Sequence, residues 1–328
     1  MNRANALILL PRLQVQNANA VSGPLSWGFP SPTAFVGFAH ALQRRLFHLI
    51  ERGFGGVGIV CHRFDPQVSR PAGKRTQVFN LTRNPLGKSG NSASIVEEGR
   101  AHMEVSLVIA LYDDIDSDEQ SLFAEQVMEA AHGMRLAGGS ILPQRSGKRY
   151  DADYVSLSPA LSERAVTYHK LTRRLLPGFM LIQREDKLAK HLDEMRKAGK
   201  GSHTLDALLD LSRINYEPDL PDEDNPEERH WGIRKHSGWL VPIPVGYAGI
   251  SPLYSPGEVR NSRDAETPMR FVESLYSLGE WISPHRVGDL GKALWHQQTD
   301  VENGIYLCTS HYVDSVTTNE ISIHKERS

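Results

Sequence analysis

The sequence has few cysteines and no long hydrophobic run, and each shortage excludes a class of protein. Only Cys61 and Cys308 occur among the 328 residues, which is too few for a disulfide framework and is typical of a reducing compartment. The apolar run from Ala6 to Leu10 is too short to span a bilayer, and no cleavage-like site follows it. We therefore expect a cytoplasmic protein that is not embedded in a membrane.

Motifs that bind nucleotides or metals, or that activate a serine, are also missing. Residues 53–58 (GFGGVG) match the dinucleotide-binding pattern. That pattern must follow a strand and open a helix, so we interpret these glycines as the end of a helix and a turn. Residues 138–142 (GGSIL) lack the final glycine of a nucleophile elbow. The fourteen histidines show no paired-ligand spacing. The sequence thus predicts no cofactor, no metal site and no catalysis.

One catalytic interpretation stays open. His40 lies near the apolar stripe of a predicted helix, and His62 lies in a predicted strand. Either side chain could be the general base of a metal-independent endoribonuclease that cleaves repeat RNA. A hydrogen-bonded core or surface histidine is the simpler interpretation of each.

The net charge of −2 is small for a nucleic-acid-binding protein, but the charges are unevenly distributed. Segment 113–119 (DDIDSDE) holds five acidic residues and segment 217–228 (EPDLPDEDNPEE) holds seven, while neither holds a basic residue. Both segments are predicted to be solvated loops. Without these twelve, 27 of the 39 acidic residues remain against 37 Lys and Arg. The rest of the chain is therefore basic enough to bind phosphates, and the alternative, which charge alone leaves equally open, is that these charges only keep a large protein soluble.

Hydrophobic spacing in the first third of the chain predicts an α+β fold. The predicted elements are strands at 6–15, 57–64 and 102–112, a glycine-containing turn that leads into a short strand within 135–142, and helices from Ser31 to Gly53 and from Asp118 to Gly133. Pro11 predicts either a bend in the first strand or a position at the edge of the sheet. The order strand, helix, strand, strand, helix, strand is the ferredoxin-like arrangement, a common RNA-binding scaffold. Residues 65–100 interrupt it between the second and third strands.

The rest of the chain changes in character and predicts further domains. Residues 159–213 are rich in Leu, Lys, Arg and Glu and are mainly helical by prediction, with a basic cluster at Lys170, Arg173 and Arg174. From Trp239 onward, Gly, Pro and aromatic residues predict short strands and ordered loops. The predicted domains are 1–143 (ferredoxin-like, with the insertion 65–100), 144–236 (a mainly helical insertion with the acidic linker 217–228) and 237–328 (a strand and loop region packed on the first domain).

The insertion 65–100 is the strongest candidate for RNA contact. Its run 70–88 holds five basic residues and no acidic one, with apolar residues between them. Cations hold phosphates, while an apolar or aromatic tip can wedge between stacked bases. The candidate contact residues here are Arg70, Lys74, Arg75, Phe79 and Arg83. A solvated hairpin is the alternative, but long insertions in compact sheets tend to be functional.

Two further segments add candidate RNA-binding residues. The glycine pair in 134–140 lets a phosphate backbone approach bare amides, and segment 257–286 interleaves arginines with aromatics. These segments add Arg135, Gly138, Gly139, Ser140, Arg260, Asn261, Arg263 and Arg270, and Arg12 of the first predicted strand also belongs to the candidate set. The third strand (HMEVSLVIA) lacks the aromatic pair on which RNA-recognition sheets stack bases. We therefore expect loops and insertions to bind the RNA.

Several ordered segments resemble one known family. The segments include LLPRLQVQNANAVSGPLSWGFPSPTAFVGFAHALQRR, PAGKRTQVFNLTRNPLG, MRLAGGSILP, GWLVPIP and LGEWISPHR, and they run from residue 9 to residue 286. They resemble the Csy-two family, the Cas-five-type subunit of the type I-F CRISPR surveillance (Csy, or Cascade) complex. The sequence departs from the family near 113–126, 144–168 and 217–236 and beyond 300.

This resemblance implies a fold, a function and partners. The family has a modified ferredoxin-like fold of the repeat-associated (RAMP) class. It is non-catalytic, pairs with the large Csy-one subunit and holds the 5′ handle of the CRISPR RNA beside a filament of backbone subunits. The resulting ribonucleoprotein recognises foreign DNA for antiviral defence. The insertion 65–100 takes the place of the family's thumb, and 134–142 that of its glycine-rich loop.

One more hypothesis remains beside RNA binding and RNA cleavage. The protein could be chiefly an interaction scaffold, with the RNA held mainly by its partner. In that case the aromatic region 239–286 would be a protein interface.

Overall fold

A computed structural model of the protein describes residues 3–83, 85–143, 150–199, 201–218, 231–234, 237–262 and 264–312, except for the side chain of Arg83. These residues form an α+β structure, as the sequence predicts. The strands are β1 (Ala6–Asn19), β2 (Val21–Gly23), β3 (Ser26–Trp27), β4 (Phe54–Pro66), β5 (Val68–Ser69), β6 (Val78–Phe79), β7 (Leu81–Arg83), β8 (Ile95–Glu97), β9 (Arg100–Leu111), β10 (Arg135–Leu136), β11 (Gly139–Leu142), β12 (Asp153–Ser156), β13 (Phe179–Gln183), β14 (Tyr216–Pro218), β15 (Trp231–Ile233), β16 (Trp239–Gly249), β17 (Val272–Ile282), β18 (His296–Asp300) and β19 (Ile305–Thr309). The α-helices are α1 (Pro32–Arg45), α2 (Gln120–His132), α3 (Leu161–Arg174), α4 (Glu185–Lys197), α5 (Thr204–Ser212) and α6 (Leu290–Ala293).

One antiparallel sheet of eleven strands organises the protein. Its order is β10-β11-β1-β9-β4-β13-β17-β16-β19-β18, and β12 pairs with β1 beside this path. The four strands predicted from the first third of the sequence are neighbours in the order β11-β1-β9-β4. Four two-stranded pairs stand apart from this sheet, among them β5 with β6 and β7 with β8, which build the insertion 65–100. Among the described residues, no helix has the length and apolar character needed to cross a membrane.

The helix α1 fills the inner face of the sheet. Ser31 caps it by accepting a hydrogen bond from the Thr33 backbone N–H at 3.2 Å, and Pro32 takes the first helical position, as predicted. Phe35 and Leu42 are fully buried in the main core. The sheet curls around this helix, because α1 contacts β10 near one end of the strand order and β18 and β19 at the other.

The first strand is bent twice. Its register with β9 shifts between Leu10 and Leu13 and again between Val15 and Ala18. Arg12 and Asn17 lie at these two bulges with φ of +53° and +58°. The bend predicted at Pro11 is therefore confirmed. The second bulge contains no proline or glycine from which it could be predicted.

The helix α3 covers only part of the outer face of the sheet. Leu171 of α3 and Leu175, which directly follows the helix, pack there in a second core cluster that includes Leu9 and Val108. Further along the strands, the residues on the same face are polar and only half-buried or exposed. We call this surface the open half-face, and it consists of Gln14, Gln16, His102 and Glu104. The predicted alternation of the third strand, with one wet face that becomes apolar near its end, is confirmed.

Two predicted loops have a different structure. Gly55 and Gly56 lie inside β4 rather than in a turn. A Cβ at Gly55 would lie 2.8 Å from the Tyr112 hydroxyl oxygen, and one at Gly56 would lie 2.5 Å from the His296 ring. Close packing of the strand against these two rings therefore favours glycine here, a constraint that local spacing does not reveal.

The acidic segment 113–119 is likewise not wholly solvated. The Asp113 carboxylate is buried and accepts the backbone N–H groups of Glu51, Arg52 and Gly53 at 2.7–3.1 Å. It closes the turn that leads into β4. Of the acidic linker 217–228, residues 217 and 218 belong to β14, and the remainder lies outside the described residues.

Candidate nucleic-acid interface

A polar cleft of about 340 Å³ joins the insertion 65–100 to the glycine turn. It is lined by Gln16, Asn17, Gln67, Thr82, Glu98, Arg100, Arg135, Gly138 and Ser140. Three of the candidate RNA-binding residues, Arg135, Gly138 and Ser140, therefore meet the base of the insertion at one place. The second bulge of β1 forms the wall between them.

Asn17 and Gln67 form a fixed amide pair in this wall. Gln67 Nε2 donates to Asn17 Oδ1 at 2.5 Å and lies 3.2 Å from His102 Nε2. The Asn17 backbone N–H donates to His102 Nδ1 at 3.3 Å. Asparagine tolerates the left-handed backbone at this bulge better than most residues do. The cleft thus presents amide groups that are held in place before any ligand arrives.

The charge of the cleft is positive. Glu98 is its acidic lining residue, and its carboxylate is paired with the Arg100 guanidinium at 3.0 Å. Arg135 is exposed on β10, and none of the described carboxylates lies within ion-pair distance of it. An excess cation beside fixed amides suits a phosphate and the polar edge of a base.

The two glycines of the turn have different roles. Gly138 adopts φ of +76° with open space around the position that a Cβ would take. A Cβ at Gly139 would instead lie 2.7 Å from both the Gln16 carbonyl oxygen and the Ala18 amide nitrogen. These are backbone atoms of β1, so they cannot move aside. Gly139 is therefore needed for β11 to pair with β1, and Gly138 for the turn itself.

The tip of the insertion carries exposed cations. Arg70, Lys74 and Arg75 lie in the exposed segment between β5 and β6. Phe79 is half-buried at the base, where its ring meets the ring of Trp27 edge-on with the centroids 5.2 Å apart. The three cations are therefore accessible to a ligand, whereas the Phe79 ring packs within the protein at the base of the insertion. Arg83 belongs to β7, and its side chain lies outside the described residues.

Arg12 is engaged inside the protein rather than in the cleft. Its Nη1 donates to Glu104 Oε1 at 2.7 Å, and its Nη2 lies 3.4 Å from the carbonyl oxygens of Leu176 and Pro177. Partial burial alone would raise the pKa of Glu104, but the hydrogen bond and charge of Arg12 hold that pKa below its usual value. Arg12 thus ties the loop after α3 to the open half-face.

His62 completes this attachment, which we call the clasp (Arg12, His62, Glu104 and Ser106). His62 Nδ1 lies 2.6 Å from the Pro177 carbonyl oxygen and Nε2 lies 2.7 Å from Ser106 Oγ. Ser106 Oγ in turn accepts the Arg12 backbone N–H at 2.9 Å. A neutral imidazole that donates from Nδ1 and accepts at Nε2 satisfies all these bonds. Burial lowers the pKa of His62, which favours this neutral form.

The two histidines of the ribonuclease hypothesis do not share a site. His40 is exposed on α1, which packs on the inner face of the sheet. His62 lies on the outer face, and both of its ring nitrogens contact protein groups. Among the described residues, no three His, Cys, Asp or Glu side chains are grouped to hold a metal ion.

The C-terminal candidates do not line the cleft. Arg260 and Asn261 are exposed in the segment between β16 and β17. Arg270 is half-buried, with its Nη1 3.5 Å from the Val301 carbonyl oxygen. Arg263 lies outside the described residues. The structure therefore separates this group from the cleft residues.

A row of aromatic side chains was missed in the sequence. The ring centroids of Phe29 and Trp281 are 4.9 Å apart, those of Trp281 and Trp239 are 6.3 Å apart, and those of Trp239 and Phe179 are 5.3 Å apart. Trp239 is 57% exposed and Phe179 is 44% exposed, so one end of the row is open to a ligand or a partner. Three strands contribute to it, so only the pairing of β13, β17 and β16 could have revealed it.

The two glycines give a test of the turn. We expect Gly139→Ala to lower the free energy of unfolding by about 3 kcal/mol, because the new methyl group meets immovable backbone. Gly138→Ala should cost only about 1 kcal/mol, since it adds strain at positive φ without a clash. Urea denaturation of the two variants measures this difference, and equal losses of stability would contradict the close approach of β11 to β1.

His62 gives a prediction about pH. Its usual pKa is 6.5 and its native pKa is lower, so the unfolded chain takes up a proton on this side chain first as the pH falls. The stability that His62 contributes is thus complete above the usual pKa and is lost as the pH falls through 6.5 toward the native value. Urea denaturation at roughly pH 7.5 and 5.5 should show a smaller pH effect in His62→Gln than in the wild type. An equal change of stability with pH in both proteins would contradict the contacts that we describe for His62 in the clasp.

Comparison with known proteins gives a family. The chain matches the sequence model of the family described as CRISPR-associated protein (Cas_Csy2) over residues 8–308. It is also 54% identical over 308 residues to the CRISPR-associated protein Csy2 of Pseudomonas aeruginosa (strain UCBPP-PA14), a match that covers 92% of this chain and 94% of that protein. The chain therefore belongs to the Cas_Csy2 family of CRISPR-associated proteins, which is the family that its sequence resembles.

Proposed function

We propose that the chain is a non-catalytic subunit that holds the 5′ handle of the CRISPR RNA in the type I-F surveillance complex. In that complex it pairs with the large Csy-one subunit, lies beside a backbone subunit and takes part in the RNA-guided recognition of foreign DNA in the cytoplasm. The observation that carries this proposal is the polar cleft, because it joins the insertion 65–100 to the glycine turn. Family membership supports the same role.

The fold we propose is a modified ferredoxin-like fold of the RAMP class. The strand order β11-β1-β9-β4 supports it, since the fourth, first, third and second strands of the predicted series are antiparallel neighbours. In this proposal residues 65–100 are the thumb. We also propose the domain division 1–143, 144–236 and 237–328, although β13 and β16 to β19 extend the first domain's sheet directly.

The mechanism we propose is a clamp of two parts. Arg70, Lys74 and Arg75 at the tip of the thumb neutralise handle phosphates, because they are exposed and carry no acidic neighbour in the run 70–88. Arg135 does the same from the opposite wall. The amides of Asn17 and Gln67 then meet the polar edge of one base between the two walls. Phe79 supports the base of the thumb rather than separating bases.

The absence of catalysis is part of the proposal. A metal-independent ribonuclease needs a general base that can reach the scissile ribose hydroxyl. Both ring nitrogens of His62 contact protein groups instead, and His40 lies on the other side of the sheet. Incubation of the purified chain with precursor RNA tests this point, since cleavage products would favour the ribonuclease.

A scaffold role can accompany RNA binding, and the aromatic row favours it. Trp239 and Phe179 present large exposed aromatic surface at one end of the row. Aromatic anchors of this kind are enriched at the centres of protein interfaces. We therefore propose this end of the row as part of the contact with a partner subunit. A heterodimer that forms before RNA is added would support that assignment.

The thumb gives the direct test of the clamp. Replacement of Lys74 and Arg75 by Ala should weaken guide-RNA binding and reduce the slope of log affinity against log salt by about 0.7 for each phosphate that is no longer neutralised. The control replaces Lys190 and Lys197 by Ala, because both are exposed on α4, outside the cleft. Filter binding across a salt series measures the slopes. RNA retention and a slope equal to the control's would contradict the clamp.

A further inference from the structure

The open half-face has a basic border that the clamp does not use. Lys170, Arg173 and Arg174 lie in the last part of α3, and all three are exposed. Residues 164–184 contain no Asp or Glu. This is a second acid-free basic run in the chain, and unlike the thumb it lies on a helix fixed to the sheet by Leu171 and Leu175.

Most of this positive charge is not neutralised within the protein. Arg174 is paired with Asp153, with Nη1 and Oδ2 2.5 Å apart. In the described part of the chain, no carboxylate lies within ion-pair distance of Lys170 or Arg173. Two cations are therefore free to bind an anion, while the third is held in a fixed position beside them.

The location of these cations follows from the chain path. The helix α3 covers the apolar part of the outer face around Leu9 and Val108 and ends at Arg174. The next residues include Leu176 and Pro177, whose carbonyl oxygens contact Arg12 and His62 of the clasp. Because the clasp includes Glu104 of the open half-face, the end of α3 lies at the border of that surface. The cleft lies at its other end, where Gln16 belongs to both.

The chemistry of this border favours phosphates over bases. Tyr168, the aromatic residue of α3, is half-buried with its hydroxyl directed at Gly291 of α6, so it offers no exposed ring for stacking. Single-stranded binding surfaces that hold bases use exposed aromatic rings, whereas cations alone track the backbone. The helix dipole favours Arg173 and Arg174 in the last turn, but it does not account for Lys170 one turn earlier.

We propose that Lys170, Arg173 and Arg174 form a second phosphate-binding surface for single-stranded RNA. The strand leaves the cleft, crosses the open half-face and meets these cations at its far border. This inference rests on the proposed function, because the cleft must hold the RNA for the strand to take this path. It predicts that the contact is made only by RNA long enough to extend beyond the cleft.

The test measures how RNA affinity depends on the length of the RNA and on which pair of basic residues is changed to Glu. Polyuridine of about 6 and about 16 nucleotides brackets the usual site size of a single-strand-binding surface. The full-length chain is titrated with each RNA by fluorescence anisotropy across a salt series. Lys170→Glu with Arg173→Glu is the test variant. Arg44→Glu with Lys190→Glu is its matched control, since it also reverses one Arg and one Lys on exposed helical sites.

The expected result is a selective loss of affinity. The test variant should bind the longer RNA about tenfold more weakly, with a salt slope reduced by about 1.4, and should bind the shorter RNA as the wild type does. The control should bind both RNAs as the wild type does. Thermal unfolding should show that both variants are folded.

Four results would overturn the inference. If Lys74→Ala with Arg75→Ala weakens binding while the test variant binds the longer RNA normally, the second surface fails and the clamp stands. If the test variant binds both RNA lengths equally weakly, or if the control loses as much affinity, the loss reflects net charge and not a path of the RNA across the open half-face. If the wild type binds neither RNA, the clamp fails and the second surface fails with it.

Discussion

The two bulges of β1 set the positions of both the clasp and the cleft. They hold Arg12 and Asn17 in the left-handed region, a backbone conformation that costs a residue other than glycine about 1–3 kcal/mol. Contacts made by the same residues offset that cost, because Arg12 joins the clasp and Asn17 holds Gln67 in the cleft. Between the bulges, Leu13 and Val15 remain buried in the core. The strand β1 thereby contributes side chains to the core, holds the loop after α3 and forms a wall of the cleft.

Local sequence signals predicted the elements that local forces determine. The cap at Ser31 and the alternation in β9 were confirmed because each depends on neighbours within a few residues. Gly55 and Gly56 were interpreted wrongly as part of a turn, since the side chains that crowd a Cβ there come from Tyr112 and His296. The acidic segment that begins at Asp113 was also predicted wrongly, as a solvated loop. The buried Asp113 carboxylate accepts hydrogen bonds from backbone N–H groups about sixty residues away in the sequence.

The candidate site divides along similar lines. Composition identified the exposed cations of the thumb and the glycine turn, and the fold brings the base of the thumb to that turn. Composition could not show that Arg12 forms an ion pair with Glu104, because the sheet register decides which side chains face each other. Nor could it reveal the aromatic row, since β13, β17 and β16 are neighbours only in the sheet. The open half-face exists because α3 covers only the apolar part of the surface, and its polar remainder leads from the cleft to the basic end of that helix.

We propose that the insertion 65–100 and the glycine turn together hold the RNA. Ultraviolet cross-linking of the CRISPR RNA within the assembled complex, followed by mass spectrometry of the cross-linked peptides, tests this proposal. We expect handle nucleotides to cross-link to peptides from both 65–100 and 134–142. Cross-links that avoid both segments and fall instead on α1 or on the segment between β16 and β17 would contradict it.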